Sequence, residues 1–520
     1  MATHEVTNQP PPLTGYNVFA ADPALVESLH REGAGGAAAD LERLGALAGE
    51  AEAQEWGRAA NANPPELLTH DRFGHRIDEV RFHPAYHRLM EVSIGEGLGA
   101  VPWAGDAPGR HVARCAKVIV WYQVDGGHIC PTSMTYSVVP ALRHAPALFD
   151  RWRDGLTAGS YDPRFVPSTE KSGLTCGMAM TEKQGGSDVR ANSTVARPVG
   201  GDEYLITGHK WFCSAPMSDA FLTLAQTDAG PTCFLLPRWR PDGTRNAIAI
   251  QRLKDKLGDR SNASSEVEFD DAWVQRVGDE GRGVATIIEM VNHTRLDCVL
   301  GATAIMRQGT AQAIWHARHR ATFGTTLVDQ PLMTAVLADL AIESEAATTS
   351  AMWLAGLFDA ASRGDQDART IARLATPVLK YWICKRTPTH AAEALECFGG
   401  NGFVEESPMP RLFRQSPLNG LWEGSGNVIC LDVLRGMARS PESLAALLAE
   451  CRGPAESSPS LGAALGEVQA LIEGDPAGLE AQARLVVERL ALVLQGALLV
   501  RHAPEEVAEA FLHARLGSGG

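Results

Sequence analysis

Residues 178–189 run Met178-Ala179-Met180-Thr181-Glu182-Lys183-Gln184-Gly185-Gly186-Ser187-Asp188-Val189, and their reading decides the fold. The paired glycines let main-chain amides approach a phosphate or a ring oxygen, and Thr181 and Ser187 add hydroxyl donors. Such a segment suits a cofactor carrying both a polar ring and a pyrophosphate. The plainer alternative is a glycine turn closed by a capping Ser-Asp pair. Shortly downstream, His209-Lys210-Trp211-Phe212-Cys213-Ser214 supplies stacking aromatics and a further hydroxyl donor.

Working outward, the segment opens a region of short apolar runs. These are Tyr204 to Thr207, Phe221 to Gln226, Cys233 to Leu236, Ile248 to Ile250 and Val267 to Phe269. Turn residues separate them, among them Gly200-Gly201, Asp228 to Pro231 and Pro241-Asp242-Gly243. This spacing predicts a small β domain. Before it, residues 1–170 are mostly helical in pattern behind a loose lead at Pro10 to Pro12. Asp40 to Ala60 reads as an exposed helix stopped by Pro64 and Pro65. After Gly283 helical periods return: Ile287, Ile288 and Val291, then Leu332, Val336 and Leu340, with Pro377 expected to kink one helix. Beyond Ser440, Leu461, Leu465, Val468 and Ile472 share a face. The expected architecture is α+β and multidomain: helical 1–174, β 175–283, helical bundle 284–440 and a helical tail 441–520.

Composition sets outer bounds. The 520 residues carry 47 Lys+Arg against 62 Asp+Glu, a formal charge of −15, which argues against a surface built for polyanions. Ten cysteines never fall at C-x-x-C spacing and read as reduced, buried thiols of a cytoplasmic protein. The stretch from Met1 to Tyr16 lacks a basic and apolar leader pattern. Leu490 to Val500 is too short to span a bilayer, so no membrane association is expected. P-loop, zincin, nucleophile-elbow and dinucleotide-binding patterns are absent. His70, His75, His83 and His87 cluster near Asp78 and Glu79 without completing a metal motif, so no metal is expected.

Five ordered blocks resemble the acyl-CoA dehydrogenase superfamily. Thr181-Glu182 through Gly186-Ser187-Asp188 matches its T-E-x-x-x-G-S-D, and His209 to Ser214 matches its K-x-W-[IF]-[ST] strand. Arg320-Ala321-Thr322-Phe323-Gly324 matches R-x-x-F-G, and Phe398-Gly399-Gly400-Asn401-Gly402-Phe403 matches the Gly-Gly segment. Glu396 stands where many members carry Gln. The fifth block, Trp422-Glu423-Gly424-Ser425-Gly426-Asn427, matches the E-G-[ST] loop. The run from Arg252 to Ala263 and the sequence from Trp422 to Arg435 are most similar to the alkylation-response, AidB-like branch.

That resemblance implies an N-terminal helical domain, a middle β-barrel and a C-terminal helical bundle, with FAD as cofactor. Backbone at Met178 and Met180, with Thr181, Gly186, Ser187, Trp211, Phe212, Cys213 and Ser214, would hold the isoalloxazine and pyrophosphate. Trp422, Gly424, Ser425 and Asn427 would line the same cofactor. Arg320, Phe323, Gly399 and Gly400 would touch the FAD of a neighbouring protomer, implying a dimer or a homotetrameric dimer of dimers. The implied reaction removes an α-proton and a β-hydride from an acyl-CoA thioester. Glu423 would be the base and Arg295 would orient or charge-stabilise it. Because the α-proton is weakly acidic, such a base has to be desolvated. The plainer alternative for Glu423 is a carboxylate that caps the helix beginning near Asn427.

The AidB-like branch also implies a second reading, a DNA-associated protective flavoprotein of the alkylation response with little dehydrogenase activity. Binding to double-stranded DNA would fall to the tail, yet residues 441–520 hold five arginines, no lysine and eleven carboxylates, a net −6. Arg435, Arg439, Arg484 and Arg501 could form a local patch, but an acidic extension is poor material for counterion release. A third reading makes the tail an assembly element.

Overall fold

The computed structural model describes residues 3–474 and 476–517, which divide into two compact units. One comprises 52–106 and 124–294, the other the described residues of 3–51, 107–123, 295–474 and 476–517.

The first unit is built round a β-barrel. Its strands are β1 (Glu66–His70), β2 (Arg76–Arg81), β3 (Cys176–Ala179), β4 (Val195–Gly200), β5 (Glu203–Ser214), β6 (Ala220–Thr227), β7 (Gly230–Pro237), β8 (Ile248–Leu253) and β9 (Ser264–Val277). Strands β6, β4, β5, β9 and β7 follow one another round a ring that closes where β7 pairs with β6. β3 lies parallel to β6, and β8 lies antiparallel to β9. Every apolar run expected to be a strand lies within β5 to β9. Tyr204, Ile206, Phe221, Phe234, Ile250, Phe269 and Val274 fill the interior. Closure leaves the ring without a free edge.

Two strands precede the barrel in a region read as helical. β1 and β2 form an antiparallel hairpin, and Val80 of β2 joins the barrel core. Strands of five and six residues give little period to detect. The helix expected over Asp40 to Ala60 is two helices, Ala38–Gly49 and Ala51–Ala62, because Glu50 adopts an extended backbone with ψ 143°. Nor is it fully exposed: Leu41, Leu44 and Ala48 face the core. The regular Ala/Leu spacing is that buried face.

The second unit is helical, and its long elements include Pro331–Ser362 and Gln366–Glu396. The latter runs on as one helix through both Pro377 and Pro388. Leu340 is buried as expected, but Leu332 at the start of the same stripe is 86% exposed. The lead is docked rather than loose. Asn8 exchanges hydrogen bonds with Ala321 at 2.7 and 2.8 Å, and Trp315 donates to the Pro11 carbonyl at 2.8 Å.

The tail belongs to this helical unit. Its helices are Pro441–Ser457, Pro459–Glu473, Ala483–His502 and Glu505–Leu516, with a short turn at Pro476–Leu479. The 483–502 helix buries Val486, Leu490, Leu494 and Leu498 and packs against the 331–362 and 366–396 helices. Leu461, Leu465 and Val468 are buried alongside. Arg515 of the last helix reaches Asp339 at 2.7 Å and buried Glu343 at 2.9 Å, and Arg386 also contacts Glu343 at 3.3 Å. Each fully buried Val or Leu contributes about 1.5–3 kcal/mol. Deleting residues 441–520 is therefore expected to abolish a cooperative thermal transition of the helical unit. A truncated protein that stays soluble and melts cooperatively would show the tail to be dispensable for the fold.

Candidate functional site

In the β unit the 178–189 segment is organised by a carboxylate, not by its glycines. Glu182 is fully buried and accepts five hydrogen bonds. Ser193 donates from N at 2.6 Å and Oγ at 2.8 Å, Thr194 from N at 3.1 Å and Oγ1 at 2.6 Å, and Lys210 from Nζ at 2.8 Å. Lys210, also buried, donates in addition to the Leu224 carbonyl at 2.8 Å. Burial pushes the Glu182 carboxyl up, but the bonds from Lys210, Thr194 and Ser193 outweigh it and hold it at about 2. An ionised Glu182 thus ties the loop to β5 and to the start of β4.

The surrounding residues take defined positions on this anchor. Met178 lies in β3 opposite Leu222, and the Met180 carbonyl accepts from Asn192 Nδ2 at 3.0 Å. The Thr181 carbonyl accepts from Trp211 N at 2.7 Å. Gly186 lies against Thr181 so closely that a Cβ there would fall 2.4 Å from Oγ1, which reserves the position for glycine. Ser187 is exposed beside it. On β5 the Phe212 ring is 50% exposed, Cys213 is buried, and half-buried Ser214 lies 3.3 Å from the Ser264 hydroxyl. Trp211 carries the Lys254 ammonium over its ring at 3.4 Å, with Arg252 and Lys183 near 6 Å at 5.8 and 5.9 Å. Its face is occupied by cations.

In the helical unit the Trp422-to-Asn427 segment leads into the helix Gly426–Arg439. Glu423 is half-buried and adopts φ +57°, a left-handed conformation unusual for a residue with a side chain. Gly424 follows at φ +106°, where a Cβ would fall 2.9 Å from Ile429 Cδ1. Three successive carbonyls of this turn accept hydrogen bonds from cations. Lys380 Nζ donates to Trp422 O at 2.9 Å and to Gly424 O, and Arg295 Nε donates to Glu423 O at 3.1 Å. Arg295 also pairs with Asp432 at 2.8 Å, so the structure places its guanidinium on the main chain of the turn and on Asp432. Trp422 Nε1 donates to Asn419 Oδ1 at 2.9 Å. Ser425 and Asn427 are exposed, and Asn427 Oδ1 accepts from Arg484 of the tail at 2.7 Å.

The remaining cofactor candidates of this unit lie in a hairpin and a turn. Arg320 donates to the Asn8 carbonyl, and Phe323 is fully exposed with φ +55° at the tip between Ala321–Thr322 and Thr325–Thr326. Gly399 opens a tight turn at φ +59°, and open space lies round both it and Gly400. Sequence reading missed Lys380, Asn8 and Asn419. Lys380 carries no motif, and only its place near the middle of the 366–396 helix gives it a role.

The histidines singled out earlier have structural partners. His83 caps the helix Pro84–Gly95 by accepting from Ala85 N, His75 meets Asp71 at 3.0 Å, and His87 meets the Tyr161 hydroxyl at 2.9 Å. Among the described residues no three His, Cys, Asp or Glu side chains are grouped to hold a metal. Ser93, His128 and Asp125 do form a chain, with Ser93 Oγ at 2.8 Å from His128 Nε2 and His128 Nδ1 at 3.1 Å from Asp125. All three are sealed from solvent, and Asp125 is committed to Ser261 as well, at 2.8 Å. The chain pins loops together and has no face open to a substrate. All ten cysteines are free and buried.

Comparison with known proteins bears on what these arrangements serve. Three family models match consecutive parts of the chain. They describe the adaptive response protein AidB N-terminal domain over residues 8–163, the acyl-CoA dehydrogenase middle domain over 177–272 and the acyl-CoA dehydrogenase C-terminal domain over 281–438. AidB of Escherichia coli (strain K12) is 44% identical over the whole of this chain and 95% of its own length. The chain belongs to the acyl-CoA dehydrogenase family. Acyl-CoA dehydrogenase family member 11 of Caenorhabditis elegans is 33% identical over 81% of this chain and 71% of its own. The crystal structure of Caenorhabditis elegans ACDH-11 in complex with C11-CoA superposes with a TM-score of 0.89 at 28% identity, covering 99% of this chain and 93% of that one. The helical, β and helical architecture is therefore that of the family, with AidB-like features at the N-terminus. The protein is a dehydrogenase-type flavoenzyme of a family whose members typically bind FAD. Among the described residues no helix is long and apolar enough to cross a membrane.

Proposed function

We propose that this family member is an FAD-dependent acyl-CoA dehydrogenase in which Glu423 takes the α-proton of a bound acyl thioester. The observation that carries the reading is the Glu423 turn. A half-buried carboxylate projects from a left-handed backbone whose carbonyls are held by two cations from neighbouring helices. A base for a weakly acidic C–H needs this combination of partial desolvation and fixed position. The complex of ACDH-11 with C11-CoA supports an acyl thioester as the substrate class.

The residues present fit FAD. An exposed Phe212 ring beside Ser214, with the Gly186–Ser187 amides and Thr181 on a loop fixed by Glu182, offers a stacking face and polar donors together. Met178, Met180 and Cys213 would contribute backbone, and Trp211 would shield the edge of that surface. In the helical unit Trp422, Gly424, Ser425 and Asn427 would contact the cofactor. Arg320, Phe323, Gly399 and Gly400 would serve the FAD of a second protomer in a dimer or dimer of dimers. When bound, FAD supplies the oxidant that accepts two electrons and the β-hydrogen, leaving a trans-2-enoyl thioester. The chain's own part is to orient the thioester, exclude water and hold the α-proton on Glu423. Ten buried thiols fit a cytoplasmic setting.

The test is anaerobic titration of the flavin-loaded protein with a panel of acyl-CoA thioesters, read by flavin absorbance. Prompt bleaching by at least one acyl-CoA is expected. A yellow protein that none of them bleaches would remove the dehydrogenase reading.

The DNA-directed alternative gains little from the tail's arginines. Arg501 is spent on Glu450 at 3.0 Å, Arg515 on Asp339 and Glu343, and Arg484 on Asn427. Arg435 lies 3.9 Å from Asp432. Asp475, one of the tail's carboxylates, lies outside the described residues. Salt-dependent duplex binding is expected to stay weaker than micromolar at physiological salt, and sub-micromolar affinity there would reinstate the protective reading.

A further inference from the structure

We infer that Lys380 is a positioning residue for Glu423, acting through the main chain of the turn that carries it. The inference rests on the dehydrogenase reading for the purpose of the turn and on geometry alone for how the turn is held.

Lys380 projects from the helix Gln366–Glu396 and is 1% exposed. An ammonium so deeply buried ordinarily has a carboxylate partner, because its lost hydration is otherwise hard to offset. Among the described residues Lys380 makes no ion pair. Its hydrogen bonds go to the carbonyls of Trp422 and Gly424, the two that flank Glu423. No thiolate takes the partner's place, since burial pushes the thiols of Cys298 and Cys384 well above their ordinary range despite the nearby Lys380 charge.

The arrangement explains the backbone. A residue with a side chain persists at φ +57° only where its surroundings over-determine it. Arg295 holds the middle carbonyl and Lys380 the outer two, so the three peptides round Glu423 cannot rotate independently. The charge of Arg295 is balanced by Asp432. Lys380 is the member of the clamp that directs two of its three N–H donors at the turn. An apolar side chain of similar length would fill the same space and leave two carbonyls without their donor.

The test uses the flavin-loaded full chain carrying Lys380→Met, with Lys380→Gln as a second variant that keeps a donor on a shorter arm. Two readouts are needed. Hydrogen–deuterium exchange of residues 421–429 should accelerate about tenfold or more in Lys380→Met while most other segments keep wild-type protection. Flavin bleaching by a reducing acyl-CoA should slow by about 10²-fold, the scale of an ångström's misplacement, with the acyl-CoA Kd little changed. Lys380→Gln should fall between the two. Because Lys380 acts through Glu423, the pair Lys380→Met and Glu423→Gln together should bleach no more slowly than Glu423→Gln alone.

Wild-type exchange in the turn, wild-type bleaching, or a further loss in the double variant would each overturn the inference. Should Lys380→Met not fold, Lys380→Gln decides by the same readouts. If no acyl-CoA bleaches even the wild type, the dehydrogenase reading falls, and the exchange measurement still decides whether Lys380 holds the turn.

Discussion

Glu423→Gln is expected to slow acyl-CoA-dependent bleaching of the bound flavin by about 10²–10⁴-fold, the usual contribution of a positioned general base. The amide is nearly the same size as the carboxylate but cannot accept the α-proton. The turn should survive the change, because its fixed points are carbonyl oxygens of residues 422, 423 and 424, none of which the substitution touches. Flavin content, melting temperature and acyl-CoA affinity should therefore stay close to wild type while the bleaching rate collapses. That pattern, a rate loss without a binding loss, is the signature of an interaction used only in the transition state. Glu423→Gln bleaching at the wild-type rate would instead assign the carboxylate to capping the 426–439 helix. Asp in its place should retain part of the rate, since it keeps the proton acceptor about one carbon short.

How far the sequence reached can be followed through particular residues. Strands β5 to β9 were legible because each carries a compact apolar run bounded by turn residues. β4 was not, since Val195–Gly200 has Arg197 and Pro198 inside it and mostly faces outward. The tail's apolar faces were visible as periodicity, but a period says nothing about which surface a helix meets. Its packing on the 331–362 and 366–396 helices is a tertiary fact. The candidate cofactor residues came from motif blocks, whereas the supports of those blocks did not. Lys380 lies 43 residues before Glu423 in the chain, and no local pattern connects an interior helical lysine to a distant turn. Glu182 stands within its motif, but its fivefold hydrogen-bonded burial depends on Ser193 and Thr194 from the approach to β4 and on Lys210 from β5. The same limit applies to Arg295, whose proximity to Glu423 was anticipated while its contact with the main chain was not.

Glu182→Gln is expected to cost about 3–5 kcal/mol of stability, the usual penalty for breaking one side of a buried ion pair. The variant leaves the Lys210 ammonium sealed from water with only neutral carbonyl acceptors, that of Leu224 and the new amide's own oxygen, and no anion to balance it. A second route gives a similar magnitude. A carboxyl held at about 2 when folded and near its ordinary 4.5 when unfolded contributes about 3 kcal/mol at neutral pH. Because the folded value is depressed, that contribution is fully present above about pH 4.5. It is lost progressively as pH falls toward 2, where the unfolded chain binds the proton first. Chemical denaturation at a series of pH values should therefore show wild type and Glu182→Gln far apart at pH 7, converging steadily between pH 4.5 and 2. A difference that stayed constant over that window would mean that the loop is stabilised by packing alone. Replacing the pair together, Glu182→Leu with Lys210→Met, should recover much of the loss, since it removes both buried charges at once. The Ser193 and Thr194 donors would still lack their acceptor, so recovery should be incomplete, and the flavin should be held less tightly than in wild type. Full flavin retention in the double variant would show that the loop needs only its volume filled, not its anion.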